Sequence, residues 1–190
     1  MATMSLAFLA FFAAGLFLCA FRHPVWGLYT YILVFYLDAP NRWWGAYVPS
    51  LRWSLIIAAA TLVMTVFLQL RKDSNRPNFF SQPPQLLFAL YVLLMIVQIF
   101  WAIAYDHMDG VVYFVKYLLV LYLIYSLVDN KERVIGFFSC HVLGCFYLGM
   151  VALSSGGGGR LNGVGGPGID DANSLGMQMA TGVLLSLIHI

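Results

Sequence analysis

Apolar runs, each close to the length that a bilayer demands, divide this chain into predicted membrane crossings. A transmembrane helix needs about 20 predominantly apolar residues. Hydrophobic residues make up 62% of the 190 residues and charged residues 9%, compared with roughly 25% charged residues in an ordinary soluble domain. The sequence therefore predicts an all-α, polytopic integral membrane protein with about six to seven transmembrane helices. The predicted crossings are Met4 to Phe21, Val25 to Leu37, Trp53 to Leu70, Leu86 to Tyr105, Val111 to Val128, Val134 to Leu153 and a seventh that starts near Asn173.

The second crossing is the shortest, and an aromatic loop follows it. Pro24 ends the first crossing because proline lacks a backbone donor and restricts the preceding residue. Val25 to Leu37 is shorter than a full crossing, so it is tilted, half-inserted or extended by its aromatic residues. Asp38 to Arg52 combines tryptophan, tyrosine, arginine and proline. This composition is typical of a loop at the level of the lipid headgroups.

The distribution of basic residues orients the predicted crossings. Basic residues favour the cytoplasmic side of a membrane. The loops after the first, third and fifth crossings hold Arg22, Arg71, Lys72, Arg76, Lys131 and Arg133, whereas the loops after the second, fourth and sixth hold Arg42, Arg52 and Arg160. The first set is therefore expected inside. The net charge of +2 says little about partners, because what matters is which loops carry the basic residues, and no nucleic-acid surface is visible in the sequence.

A glycine-rich stretch, residues 154–172, is the longest polar interval and is predicted to be an extracytoplasmic loop. Glycine loses more backbone entropy on ordering than any other residue, which disfavours helix and strand. No Gly-Lys-Ser/Thr follows the glycines, so a nucleotide-binding P-loop is excluded. Arg160 is either a solvated loop arginine or a ligand for a diphosphate, which a guanidinium binds in bidentate fashion.

Three polar residues at the end of this loop precede a helix-forming run. Asp170, Asp171 and Asn173 stand where side-chain oxygens cap a helix N-terminus, and capping accounts for all three without a binding role. The alternative is that these side chains bind a cation or substrate, or that an aspartate serves as a general base. A helix is predicted to begin near Asn173.

Few other side chains in the crossings could carry chemistry. Lys116 lies inside the fifth crossing, where a charge is usually functional, but it is close enough to the helix start to reach the headgroups. His141 and Cys145 share a helix face, although two ligands do not make a metal site, and no metal is predicted. All three cysteines, Cys19, Cys140 and Cys145, lie in apolar runs and are interpreted as small buried hydrophobes.

Two segments carry a resemblance to a known family. Gly165-Gly166-Pro167, then Asp171 to Gly176 and on into Leu184, resemble the glycine-proline, Asp-Asn-Asn and small-apolar segment of the O-antigen ligase family, in particular the O-glycosylation ligases associated with exosortase systems. Tyr36 to Gly45 resembles an aromatic loop with Asn, Pro and Arg near the start of those proteins. Two departures stand out: Ala172 replaces the middle residue of Asp-Asn-Asn, and the proline usual after Thr181 is missing.

This resemblance implies a membrane glycan ligase in the bacterial cytoplasmic (inner) membrane. By this resemblance, the enzyme would move a glycan from an undecaprenyl-diphosphate carrier to a lipid or protein acceptor outside the membrane, without a metal or cofactor. Arg160, Asp171 and Asn173 would then contact the carrier diphosphate or the glycan. The competing hypotheses are a transporter or flippase, with Lys116 and the break near Pro24 lining a path, and a membrane scaffold without chemistry.

The resemblance also implies a longer chain than the 190 residues seen here. Residues 1–184 are interpreted as the amino-terminal transmembrane part of the ligase-like domain. The catalytic histidine is expected beyond Leu184, in a later external loop, and the fragment is expected to be inactive. Residues 185–190 resemble a translated sequencing adapter and are excluded from the prediction of the fold.

Overall fold

The computed structural model describes residues 2–71, 78–101, 107–155 and 171–188. These residues form helices and turns and contain no strand, which confirms the all-α prediction. The helices are α1 (Ala2–Phe21), α2 (Val25–Leu37), α3 (Trp53–Arg71), α4 (Pro83–Gln98), α5 (His107–Leu127), α6 (Lys131–Ser154) and α7 (Ala172–Ile188). Short 3-10 turns lie at Ala39–Asn41, Gly45–Tyr47 and Phe79–Ser81.

Four of these helices are long and apolar enough to cross a membrane: Ala2–Phe21, Trp53–Leu70, His107–Leu127 and Lys131–Ser154. Six to seven crossings are therefore not confirmed among the described residues. Helix α2 has 13 residues, α4 has 16 and α7 has 17. At 1.5 Å per residue, a helix of 13 residues spans about 20 Å of a hydrocarbon core about 30 Å thick.

Helix bounds follow the local signals that the sequence offers. Helix α2 matches its predicted range, and α6 begins after Asn130, whose side chain accepts a hydrogen bond of 2.9 Å from the backbone N–H of Arg133. The fourth predicted crossing, Leu86 to Tyr105, is not confirmed as a single helix, because α4 ends at Gln98 and residues 99–101 form turns, in which each N–H donates to the carbonyl three residues earlier. Residues 102–105 of that crossing lie outside the described part.

The chain divides into two compact units. The first unit consists of Met1–Met64 with Asn130–Ile190, and the second unit of Thr65–Asp129. In the second unit, Phe79 packs edge-on against Tyr122 and Tyr125, with 5.5 Å between ring centroids in each pair. The Tyr122 hydroxyl donates a 2.8 Å hydrogen bond to Oε1 of Gln69. Aromatic contacts thus join the 3-10 turn Phe79–Ser81 to α5, and an amide contact joins α5 to the end of α3.

In the first unit, α2 packs against both α1 and α6, and α7 packs against α6. Glycines allow these helices to approach closely. A Cβ at Gly15 would overlap Thr30, and a Cβ at Gly182 would lie 2.7 Å from the Cβ of Cys145. Helix contacts between small residues are typical of membrane proteins, in which lipid supplies no hydrophobic drive for helices to associate.

Hydrogen bonds define the two ends of the first unit. Tyr29, near the start of α2, donates to the carbonyl of Arg133 near the start of α6, at 3.0 Å. Beyond the end of α2, Nε1 of Trp44 donates to the hydroxyl of Tyr147 at 3.2 Å, and Ser5 Oγ donates to the Trp44 carbonyl at 2.6 Å. Helices α2 and α6 are therefore parallel, and α1 begins where they end.

We call the end of the first unit that holds Trp44 and Tyr147 the loop end. It holds the segment from Asp38 to Arg52, the end of α6 and the start of α7, so both flanks of the glycine-rich loop meet there. The opposite end holds Arg22, Lys131 and Arg133. These three basic residues were assigned to one side from their charge, and the packing places them at one end.

Candidate functional site

Helix α7 begins with a side-chain cap. Oδ1 of Asp171 accepts hydrogen bonds from the backbone N–H groups of Asn173 (2.7 Å) and Ser174 (3.0 Å), and Oδ2 accepts from the Ser174 hydroxyl (2.8 Å). The capping prediction for Asp171 is confirmed, as is a helix start near Asn173. The Asn173 side chain is exposed, and only its backbone N–H takes part in the cap. Arg160 and Asp170 lie outside the described residues, so their predicted roles stay predictions.

We expect Asp171→Ala to lower the free energy of unfolding by about 1 kcal/mol, because two backbone N–H groups lose their acceptor. Asn173→Ala is the matched control, since its side chain makes no part of the cap, and it should change stability by less than about 0.5 kcal/mol. The check is unfolding of the purified protein in mixed micelles as the denaturing detergent is increased. Equal losses in both variants would contradict the capping assignment.

Specific hydrogen bonds and close backbone contacts fold the loop after α2. Asp38 ends α2 in the left-handed conformation, with φ of 42°, which aspartate tolerates better than most residues. Both carboxylate oxygens of Asp38 accept hydrogen bonds of 3.1 Å from the Asn41 amide. A Cβ at Gly45 would overlap the carbonyl oxygen of Ala39, so only glycine allows the two turns to pack together here.

Arg42 is the cation that this loop fixes in place. Its Nε donates to the Leu37 carbonyl at 3.2 Å, and its guanidinium lies 5.7 Å from the ring centroid of Tyr147. The side chain is half-buried. An arginine held by a carbonyl and an aromatic face loses little further freedom when it binds an anion.

Four polar side chains from three helices form a ring of hydrogen bonds near the loop end, which closes through the backbone carbonyl of Gln178. We call Tyr36 (α2), His141 (α6), Gln178 and Thr181 (both α7) the polar ring. The Gln178 amide donates to the Tyr36 hydroxyl, which lies 2.9 Å from Nδ1 of His141. Nε2 of His141 lies 3.3 Å from Oγ1 of Thr181, which donates to the Gln178 carbonyl at 2.8 Å. Cys145 stands beside the ring, with its Sγ 3.4 Å from the same carbonyl.

The donors and acceptors of the ring assign one tautomer to His141. The single proton of Thr181 is given to the Gln178 carbonyl, so Oγ1 can only accept from the imidazole. Nε2 therefore carries the proton, and Nδ1 accepts from the Tyr36 hydroxyl. The other tautomer would leave the Tyr36 proton only the Cys145 sulfur as an acceptor, and sulfur is a weaker acceptor than Nδ1.

No family model, curated protein sequence or solved structure matches the chain. The resemblance to O-antigen ligases therefore rests on the residues quoted above and stays a prediction.

An apolar pocket opens between α1, α2 and α6 next to the polar ring. Its volume is about 230 Å³, and it is lined by Phe11, Leu33, Tyr36, Leu37, Leu143, Gly144 and Tyr147. Tyr36 thus contributes to both sites: its aromatic side chain lines the pocket, and its hydroxyl belongs to the polar ring. Tyr147, which lies under the Arg42 guanidinium, also lines the pocket. The pocket can accept a hydrocarbon chain close to a fixed cation.

Lys116 belongs to the second unit. Lys116 is exposed on α5, and its Nζ lies 5.1 Å from the ring centroid of Tyr113, one turn nearer the helix start. This geometry favours the interpretation that Lys116 reaches toward the headgroups. Within the described ranges, no three His, Cys, Asp or Glu side chains cluster as a metal ion requires. His141 and Cys145 are neighbours, with 3.7 Å between Nε2 and Sγ.

Sequence patterns had indicated only part of this arrangement. The spacing of His141 and Cys145 placed them on one helix face, which the structure confirms. The ring partners Tyr36, Gln178 and Thr181 were missed, as was the fixed position of Arg42. One signal was available for α7, because Gln178 and Thr181 are three residues apart and therefore share a helix face in an otherwise apolar run.

Proposed function

We propose that the chain is the membrane part of a lipid-linked glycan ligase, and that the loop end of the first unit binds the undecaprenyl-diphosphate carrier on the extracytoplasmic face of a bacterial inner membrane. One observation carries this proposal. Two segments resemble the ligases: Tyr36 to Gly45, and Asp171 to Leu184. They are more than a hundred residues apart in sequence. They adjoin at the loop end, where Gln178 donates to Tyr36.

The chemistry needs cations at the leaving group. An acceptor hydroxyl attacks the anomeric carbon of the glycan, an oxygen–carbon bond forms, and the bond from that carbon to the phosphate oxygen breaks. The acceptor loses its proton to a base, and undecaprenyl diphosphate leaves with additional negative charge. Fixed arginines stabilise that charge. Arg42 is fixed at the loop end, and Arg160 belongs to the loop whose flanks meet there.

Asp171 and Asn173 have different roles in this proposal, one structural and one in binding. Asp171 acts through the helix start that it caps. The exposed Asn173 side chain stands at the same end as Arg42 and can hydrogen-bond a sugar hydroxyl. The base and the catalytic histidine that the resemblance implies are proposed to lie beyond Leu184.

We expect Arg42→Ala and Arg160→Ala each to weaken binding of undecaprenyl diphosphate by about tenfold or more, because each removes a charge-assisted hydrogen bond to phosphate. Arg42→Lys should restore little of the affinity for undecaprenyl diphosphate, since an ammonium group cannot bind phosphate in bidentate fashion. Arg22→Ala is the matched control, an exposed arginine at the opposite end of the first unit. Binding is measured on the purified protein in nanodiscs by native mass spectrometry.

Glycan transfer in membranes that express the whole gene is the second readout. Arg160→Ala should abolish transfer from the carrier to the acceptor. Carrier binding that is equal in Arg42→Ala, Arg160→Ala and Arg22→Ala would overturn the proposed site.

A transporter of a lipid-linked substrate is the second candidate, because polar groups within apolar helices often mark a transport path. The polar ring is the observation that favours it. In that case Lys116→Ala and changes in the ring should impair movement of a labelled carrier across liposomes. A ligase predicts loss of transfer with carrier movement intact.

A further inference from the structure

The polar ring joins all three helices, α2, α6 and α7, through side-chain hydrogen bonds. Single side-chain-to-backbone bonds add to it, from Tyr29 to the Arg133 carbonyl and from Cys145 to the Gln178 carbonyl. The bonds of the ring run in one direction, from the Gln178 amide through Tyr36, His141 and Thr181 back to the Gln178 carbonyl. Each bond in such a chain polarises the next, so the ring is more stable than its separate pairs. Loss of one member therefore weakens the remaining bonds of the ring.

We propose that His141 is the positioning residue of the carrier site, and that in its neutral form with the proton on Nε2 it holds the start of α7 against the end of α2. This inference rests on the proposed function, because the positioned groups are those assigned to the carrier. His141 does not itself contact the carrier. It acts through Tyr36 on α2 and Thr181 on α7.

The place of the ring in the helices supports this role. Tyr36 precedes the last residue of α2, and Asp38 and the Arg42 loop follow at once. Gln178 lies seven residues into α7, about 10 Å from the start of the helix. A bond between these two side chains thus fixes the distance between the loop that holds Arg42 and the helix start that Asp171 caps.

Only the neutral imidazole fits the ring. Nδ1 must accept a proton from Tyr36, so a second proton on His141 removes that bond. The groups that contact the imidazole are Tyr36 from α2, Cys145 on its own helix and Thr181 from α7. Among the described residues, no carboxylate contacts it that would stabilise an imidazolium. Acidification should therefore open the ring and release α7.

The first measurement is hydrogen exchange of the purified protein in nanodiscs, corrected for intrinsic exchange rates. We expect His141→Ala to accelerate exchange about tenfold in the first three turns of α7 and in residues 38–48. His141→Gln should restore protection, because its amide can accept from Tyr36 and donate to Thr181. Cys140→Ala, on the neighbouring residue of α6, is the control and should leave exchange unchanged.

The second measurement separates positioning from general stability. When the solution is acidified, the wild-type protein should lose protection in α7 whereas His141→Gln should not. If His141→Ala does not fold, the comparison between wild type and His141→Gln decides. Unchanged exchange in His141→Ala, or equal acid sensitivity in wild type and His141→Gln, would overturn the proposal.

Binding of undecaprenyl diphosphate completes the test. We expect His141→Ala to bind about tenfold more weakly and His141→Gln to bind within about twofold of wild type. A wild-type protein that does not bind the carrier would refute the proposed function, whereas the exchange data would still decide whether His141 positions α7. A variant with a released α7 and wild-type affinity would refute the positioning role alone.

Discussion

Replacing Trp44 with alanine is expected to lower the free energy of unfolding by about 3–5 kcal/mol. Trp44 is 7% exposed and lies in a cluster with Phe8, Phe12, Val48 and Ile57, with 5.9 Å between its ring centroid and that of Phe8. The substitution removes a buried indole, opens a cavity and deletes the hydrogen bond to Tyr147. Unfolding in mixed micelles with increasing denaturing detergent measures the loss.

The neighbouring Trp43 provides the matched control. It is 65% exposed, so Trp43→Ala should change the free energy of unfolding by less than about 0.5 kcal/mol. An indole at the surface of this loop is typical of a headgroup anchor, so Trp43→Ala should instead weaken binding of the loop to lipid. Similar stability losses for the two variants would show that the loop does not pack against α1 as described.

This pair of tryptophans shows where sequence reasoning reached its limit. Composition predicted that Asp38 to Arg52 lies at the membrane surface, and it treated Trp43 and Trp44 alike. Their difference depends on tertiary contacts: the Trp44 carbonyl accepts from Ser5, 39 residues away, and its indole reaches Tyr147, 103 residues away. No local pattern encodes such distances.

Helix ends were more predictable than helix contacts, because their causes are local. The turn around Pro24, the Asn130 cap and the Asp171 cap each arise from residues within a few positions. Helices α4 and α5 are the exceptions, and α5 begins at His107 rather than at the predicted Val111. Apolar composition continues beyond Gln98, so hydrophobicity alone gave no signal for the turns at residues 99–101.

The polar ring could not be predicted, although each of its helices was. The Tyr36–His141 and Tyr36–Gln178 pairs are separated by 105 and 142 residues. Rotating any one of the three helices by a single residue would turn its polar group about 100° away from the others. The register depends on close helix contacts, and those depend on where glycines meet larger residues.

Gly144 is the contact on which that register depends most, and Gly144→Ala is expected to lower the free energy of unfolding by about 1–3 kcal/mol. A Cβ at Gly144 would overlap the Tyr36 ring at three of its carbon atoms. Tyr36 is 3% exposed, and its hydroxyl is held by both His141 and Gln178. The aromatic ring would have to move away from α6, and this movement would break the bonds that its hydroxyl makes in the polar ring.

Gly149→Ala in the same helix is the control for this prediction. A Cβ there would meet only the Sδ of Met179, at an ordinary contact distance of 3.8 Å. Because alanine favours helix over glycine by about 1 kcal/mol, Gly149→Ala should keep or raise stability, whereas the clash at Gly144 outweighs the same gain. Detergent unfolding of the two variants should therefore change in opposite directions, and hydrogen exchange in α7 should accelerate in Gly144→Ala alone. If Gly144→Ala were as stable as Gly149→Ala and kept α7 protected, α2 and α6 would not meet at Tyr36, and the polar ring could not form as described.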